Sequence, residues 1–193
     1  MGGCSDSDIG SCQSIIGIPK NENDTCRKIQ TYDVVSKHLL RNNYHYSFTN
    51  IHGPNIIFIG DNIQKYRELN NNYRHNFTVD GIIYKTAEHY YQSQKFYDPV
   101  IKNRIIDAET ANMAKMIAKR NSHLIIKDFD KYTVMKNSIG EKFKDRTLMV
   151  KLKSTGNNRI ISHRKNDIYW SDGGDGRGLN MLGIILEQVR DSS

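Results

Sequence analysis

Four side chains close together in the sequence, Glu88, Tyr91, Gln92 and Lys95, are of types that could do chemistry as a group. The segment Thr86-Ala-Glu-His-Tyr-Tyr-Gln-Ser-Gln-Lys-Phe-Tyr97 predicts a helix over 87–97. On such a helix Glu88 and Lys95, seven positions apart, fall on nearly the same face, about 10 Å apart along the axis. Tyr91 and Gln92 lie between them on that stripe. A carboxylate, a phenol, an amide and an amine on one side of a helix could line a polar pocket; a solvated helical face is the plainer alternative. His89 does not make a metal pair, because Glu-His-x-x-Gln lacks the second His of a helix-borne zinc motif.

A second group lies far along the chain, in Asn166-Asp-Ile-Tyr-Trp-Ser-Asp-Gly-Gly-Asp-Gly-Arg-Gly-Leu-Asn-Met-Leu-Gly183. It holds the chain's single tryptophan, Trp170, and four glycines within six residues, Gly173, Gly174, Gly176 and Gly178. Backbone without Cβ atoms can approach a phosphate closely, and the start of a helix after Asn180 favours an anion. The spacing matches neither a dinucleotide fingerprint nor a P-loop, and a long surface loop is the bland alternative. A third feature is charge: residues 141–165 carry eight basic side chains (Lys142, Lys144, Arg146, Lys151, Lys153, Arg159, Arg164, Lys165) against Glu141 and Asp145. That segment reads equally as a solvated helical face or as a footprint for a phosphate-bearing partner.

The elements that must position these residues follow from periodicity and caps. Asn55-Ile-Ile-Phe-Ile59 predicts a short strand, and 76–84 predicts a hairpin turning at Asp80-Gly81. Helices are expected at about 87–97, 99–106, 111–120, 130–143 and 147–154, with Thr86 and Thr110 as N-caps and Gly156 as a stop. A final helix opens at Asn180, with Leu182, Ile185, Leu186 and Val189 facing inward. Helices outnumber strands and no strand-helix-strand alternation is visible. The expected fold is therefore mostly α, a single compact domain with a few short β-strands near its start.

Composition bounds the rest. The chain has 193 residues and a formal charge of +7. Apolar residues occur throughout, which argues against wholesale disorder, and no apolar run is long enough for an integral membrane segment. Charges cancel in 1–52, so the whole surplus lies in 53–193. The expected organisation is an N-terminal extension over 1–52, partly disordered with a short helix over Thr31–Arg41, and a main domain over 53–193. The three cysteines, Cys4, Cys12 and Cys26, all lie near the start. They point to a reducing compartment, cytoplasm or nucleus, and leave no thiolate nucleophile or Cys-based zinc site in the main body. Residues 1–13 lack the basic and apolar regions of a secretory signal, and Asp6 stands where N-myristoylation wants Ser or Thr.

From Ile57 to Arg190 the chain resembles the YbiA-like, or NADAR, family. The pieces occur in family order: Leu69-x-Asn71-x-Tyr73, Phe77-Thr-Val-Asp-Gly81, Thr86-Ala-Glu-His-Tyr-Tyr-Gln-Ser-Gln-Lys-Phe96, Val134-Met135, Lys142-Phe143, Thr155-Gly156, Asn166-Asp-x-Tyr-Trp170 and Asp172-Gly-Gly-x-Gly-x-Gly-x-Asn-Met-Leu-Gly183. The resemblance implies a compact, mostly helical N-glycosidase. Its known activities are removal of ADP-ribose from guanine bases of nucleic acid and cleavage of phosphoribosylamino-pyrimidine intermediates of riboflavin synthesis. It assigns Glu88 and Asp167 as catalytic carboxylates and Lys95 as the amine of a Schiff-base route. Asn72, Phe129 and Ser171 depart from the family pattern, and the first two bear on substrate choice more than on the reaction.

That assignment fits the chemistry of breaking a ribose C1–N bond. Positive charge develops at C1 and the ring oxygen, so nearby carboxylates stabilise the transition state, and an uncharged amine can attack C1. On this reading Glu88 handles protons, Lys95 is the nucleophile and Asp167 orients the sugar or stabilises the cation. Asn71, Tyr91, Trp170, Gly173, Gly174, Gly176, Arg177 and Asn180 bind substrate, with the glycine loop and Arg177 on phosphate. No cofactor and no metal are called for. The partner is ADP-ribosylated nucleic acid or nucleoside, or else a phosphoribosylated metabolite; a module that binds ADP-ribose or NAD without turnover is the reading from another class.

Overall fold

The structure is a computed structural model that describes residues 56–60 and 63–192. The extension 1–52, its expected helix over Thr31–Arg41 and its cysteines lie outside the described residues.

Local signals set most of the elements. Strands β2 (Phe77–Val79) and β3 (Ile82–Tyr84) pair antiparallel about Asp80 and Gly81, both at positive φ (50° and 78°), as a two-residue hairpin turn requires. Helix α1 (Ala87–Ser93) starts at Thr86, whose hydroxyl accepts the His89 N–H. Helix α2 (Pro99–Asp107) starts at Asp98 with Pro99 in its first turn, and α3 (Ala111–Arg120) starts at Thr110. Helices α4 (Lys131–Lys142) and α5 (Arg146–Lys153) start at Asp130 and Asp145 in the same way. Helix α6 (Met181–Asp191) closes the described chain. Six α-helices against four short strands make helix the predominant regular structure of the described residues.

Two expectations change. The helix after Thr86 stops at Ser93 rather than at 97. The N–H groups of Lys95 and Phe96 reach back only three residues, to the carbonyls of Gln92 and Ser93, because the residue before Pro99 disfavours helix and Phe96 must turn into its own core. The strands are also not confined to the start. Residues 159–162, for which no element is expected from the sequence, form β4 (Arg159–Ser162), parallel to β1 (Ile56–Ile59) in the register Ile57 to Ile160. Ile160 and Ile161 are both buried, so β4 lacks the polar alternation that would mark a half-exposed strand.

The larger core joins β1, β4, α1, α4, α5 and α6 through residues such as Ile59, Met135, Leu152, Ile160 and Ile185. A smaller one gathers Phe96 with Ile101, Ile105, Ala114 and Ala118 between α2 and α3. Helix α1 packs on α2, α3 and α4 and so runs between both.

Candidate active site

The cap of α1 fixes the first half of the site. Thr86 Oγ1 and His89 Nδ1 are 2.8 Å apart, and His89 Nε2 is 3.0 Å from the Ala108 carbonyl oxygen. A carbonyl only accepts, so Nε2 carries the proton and Nδ1 receives the Thr86 hydroxyl. Burial lowers the pKa of His89 and keeps the imidazole neutral. His89 is thus a structural strut that locks α1 to the end of α2.

With α1 locked, Glu88 points into the interior at 3% exposure. Its carboxylate accepts the Asn71 side-chain amide on one oxygen and the Gln92 amide, at 2.6 Å, on the other. Lys115 Nζ on α3 stands 3.7 Å from the same Oε1. The Glu88 N–H donates to the Asn71 carbonyl at 3.1 Å, tying loop and helix together twice. Asn71 Oδ1, by contrast, is buried and has no partner. A polar atom in that state costs about 1–3 kcal/mol unless something donates to it.

Lys95 lies in the turn after α1 rather than in the helix, with its ammonium 4.6 Å from the Tyr91 ring centroid. Its carbonyl accepts the Ile126 N–H at 2.9 Å, which pins that turn. Burial lowers the amine's pKa; Glu88 opposes the shift and Lys115 adds to it. Tyr91 holds the centre of an aromatic cluster, edge-on to Phe129 at 5.6 Å and to Trp170 at 5.5 Å. Burial, then the charges of Glu88 and Asp167, raise its phenol pKa against a hydrogen bond from Trp170, so the hydroxyl stays protonated.

Through Tyr91 the two distant motifs meet. Glu88 and Asp167 both act on its hydroxyl and Trp170 bonds to it. Asp167 itself is part-buried and holds its turn by accepting the Trp170 N–H at 2.9 Å.

The glycine loop is used differently from the sequence expectation. Gly173, Gly174 and Gly176 take positive φ, and a Cβ on Gly178 would stand 2.1 Å from the Ser171 carbonyl oxygen. The turn wraps around Asp172, buried at 1%, which accepts the Gly174 and Arg164 N–H groups and sits 2.7 Å from His163 Nδ1. The glycines are therefore required by the turn itself, whatever it binds. Asn180, assigned to substrate, is fully buried: its amide donates to the Ile160 carbonyl and accepts the Ser162 N–H, both at 2.8 Å. It splices the loop to β4, with both its amide nitrogen and its amide oxygen bonded there. Arg177 is exposed beside Asp175, at 3.6 Å, on the same turn.

The basic stretch 141–165 also changes character. Lys142 is fully buried and donates to the Glu68 and Asn70 carbonyls at 2.6 and 2.8 Å. Burial lowers its pKa to about 7. Lys144 pairs with Glu141 and Arg159 with Glu187. Lys142 instead supports the loop that presents Asn71.

Sequence reasoning missed Lys115. Its signal was the alanine stripe Ala111, Ala114, Ala118, all buried, which lets α3 approach α1 closely and carries Lys115 to Glu88. No cluster of three or more His, Cys, Asp or Glu suited to a metal occurs among the described residues. None of their helices is long and apolar enough to cross a membrane.

Comparison with known proteins adds a relationship. A family profile described as the NADAR domain matches residues 57–192. N-glycosidase YbiA of Escherichia coli (strain K12) is 34% identical over 116 residues, 58% of this chain and 72% of that protein. Riboflavin biosynthesis protein VVA0006 of Vibrio vulnificus (strain YJ016) is 37% identical over 126 residues, 64% of this chain and 34% of that protein. The NMR structure of E. coli YbiA superposes with a TM-score of 0.65 at 31% identity, covering 71% of this chain and 83% of that one.

Proposed function

Because the chain belongs to the NADAR family, we propose that it is an N-glycosidase that breaks a ribose C1–N bond and removes ADP-ribose from guanine bases of nucleic acid. The observation that carries this reading is a buried carboxylate, Glu88, beside an amine that burial holds toward its neutral form, Lys95. The similarity to proteins named N-glycosidase supports the reaction class. The net charge of +7, all of it in residues 53–193, supports a polyanionic substrate.

The reaction runs in two stages. Lys95 Nζ adds its lone pair to C1 as the C1–N bond to the base breaks. The proton released from the amine passes through Glu88 to the leaving nitrogen, so base departs neutral. Asp167 faces the positive charge that builds on C1 and the ring oxygen. The sugar ring then opens: the C1–O bond breaks, the ring oxygen takes a proton and C1 is left as an imine on Lys95. Water adds to C1 and the C1–Nζ bond breaks, which restores the amine and leaves C1 as the aldehyde; the ring oxygen then adds back to C1, closing the sugar with a free anomeric hydroxyl. Asn71 Oδ1, which has no partner, would accept a sugar hydroxyl. Tyr91 and Trp170 offer ring faces and edges, and the 173–178 turn with Arg177 borders the phosphates.

A second reading keeps the reaction and changes the substrate to a phosphoribosylamino-pyrimidine. The Vibrio relative, named for riboflavin biosynthesis, favours it, as does the withdrawal of Lys142 from the surface. The deciding experiment incubates the protein with ADP-ribosylated guanosine, with an ADP-ribosylated oligonucleotide and with the pyrimidine intermediate. Free ADP-ribose from the first two is expected, with Glu88→Gln slower by about 10²–10⁴-fold. Ribose phosphate from the third alone moves the assignment to the second reading. Saturable binding without product from any of them makes the protein a binding module.

A further inference from the structure

We infer that Lys115 is a positioning residue of this site, a second cation that occupies the Glu88 carboxylate and leaves the Lys95 amine free to act as a nucleophile. The inference rests on the reading of Lys95 as the attacking amine. Three elements converge on the carboxylate: Asn71 from the loop after β1, Gln92 from α1 itself and Lys115 from α3, its Nζ 3.7 Å from Oε1. Lys95, which shares a helix region with Glu88, sits over the Tyr91 ring instead.

Without Lys115, the carboxylate would be the natural counter-ion for Lys95. An ammonium held by a carboxylate keeps its proton and has no lone pair to offer. A neighbouring cation works the other way on both counts: it takes part of the carboxylate's field and repels a second positive charge. Amines that form imines are commonly prepared by desolvation together with a cation of this kind.

Two charged groups act on Lys95: Glu88 from α1, favouring its ammonium, and Lys115 from α3, disfavouring it. The other charged groups on the elements packed around α1 are engaged elsewhere or turned to solvent. Lys85 binds the Asp107 and Ala108 carbonyls, Lys142 the Glu68 and Asn70 carbonyls, and Lys131 lies over the Tyr169 ring. His89 is turned to Ala108, Asp167 acts on Tyr91 and Glu141 pairs with Lys144, while Arg104 and Asp107 of α2, Lys119 and Arg120 of α3 and Lys136 of α4 are exposed and Lys102 is half-buried.

Lys115 is about one-third exposed, so its replacement leaves the cores intact. The test reads the amine directly. Lys95 is reductively alkylated with glycolaldehyde and cyanoborohydride between pH 5.5 and 9, and modification is quantified by peptide mass spectrometry. In Lys115→Met the labelling midpoint should move to higher pH, with labelling at pH 7 reduced by about three- to tenfold. Lys115→Arg should restore the wild-type profile, and circular dichroism should be the same in all three. Superimposable profiles for Lys115→Met and wild type would overturn the inference, as would a failure of Arg to restore the midpoint. Failure of the underlying reading looks different: Lys95→Ala would keep its turnover while the labelling shift in Lys115→Met remained.

Discussion

The Glu88 side and the glycine turn are both rich in buried polar groups, yet they resolve them in opposite ways. Around Asp172 every contact closes inward: two N–H groups and His163 meet the carboxylate, and Asn180 serves two strand groups with its one amide. Around Glu88 the contacts come from three separate elements, and they leave Asn71 Oδ1 unmatched and Lys95 disfavoured as an ammonium. A polar cluster that satisfies itself is a piece of folding. One that carries an unmet acceptor and a reluctant cation has unsatisfied valence left for a ligand.

The sharpest way to break this contrast is Lys95→Ala. Turnover should fall by at least about 10³-fold with the melting temperature unchanged, and borohydride should no longer trap a sugar adduct. Substantial residual activity would end the imine route. Asp172→Ala should do the reverse. It strands two N–H groups and His163, so stability should drop by about 2–4 kcal/mol in urea titrations, with kcat per folded molecule little changed.

A pH effect should appear on the Glu88 side through Lys142, whose folded pKa is lowered to about 7. Below that value the ammonium is protonated in both folded and unfolded states. Between there and the ordinary lysine range the unfolded chain keeps a proton that the folded one has shed, so folding stability rises with pH. The slope is at most about 1.4 kcal/mol per pH unit. Chemical denaturation at pH 7, 8 and 9 should show that rise, and Lys142→Met should flatten it. The smallest expected effect is at Arg177. As an exposed residue it can be removed at a stability change within about 0.5 kcal/mol, while KM should increase by about three- to tenfold. An unchanged KM would take the glycine turn out of the substrate site altogether.

The parts of the fold legible in the sequence are those with local causes. Thr86, Thr110 and the Asp80-Gly81 pair each fix an element through bonds within a few residues. The parts that were not legible have distant causes. Lys95 falls beyond the end of the helix because Phe96 belongs to the α2–α3 core and because Ile126 captures its carbonyl. Residues 159–162 become a strand only beside β1. Lys142 looked like surface charge because nothing near it in sequence announces the two carbonyls, more than seventy positions upstream, that it serves. Glycines 173–178 pointed correctly to a special backbone, but a backbone can be special for its own closure.

The parallel pairing of β1 with β4 has a consequence for how the molecule assembles. Ile57 meets Ile160 only after the intervening hundred or so residues have been placed, a long-range closure that is slow relative to helix and hairpin formation. The hairpin and α1–α3, whose contacts are local, can condense first, so Glu88, Lys95 and Lys115 come together early. Asp167 and Trp170 follow β4 and arrive with the late closure. A chain emerging from the ribosome would therefore carry its prepared amine for some time before the second carboxylate is in place to face the sugar.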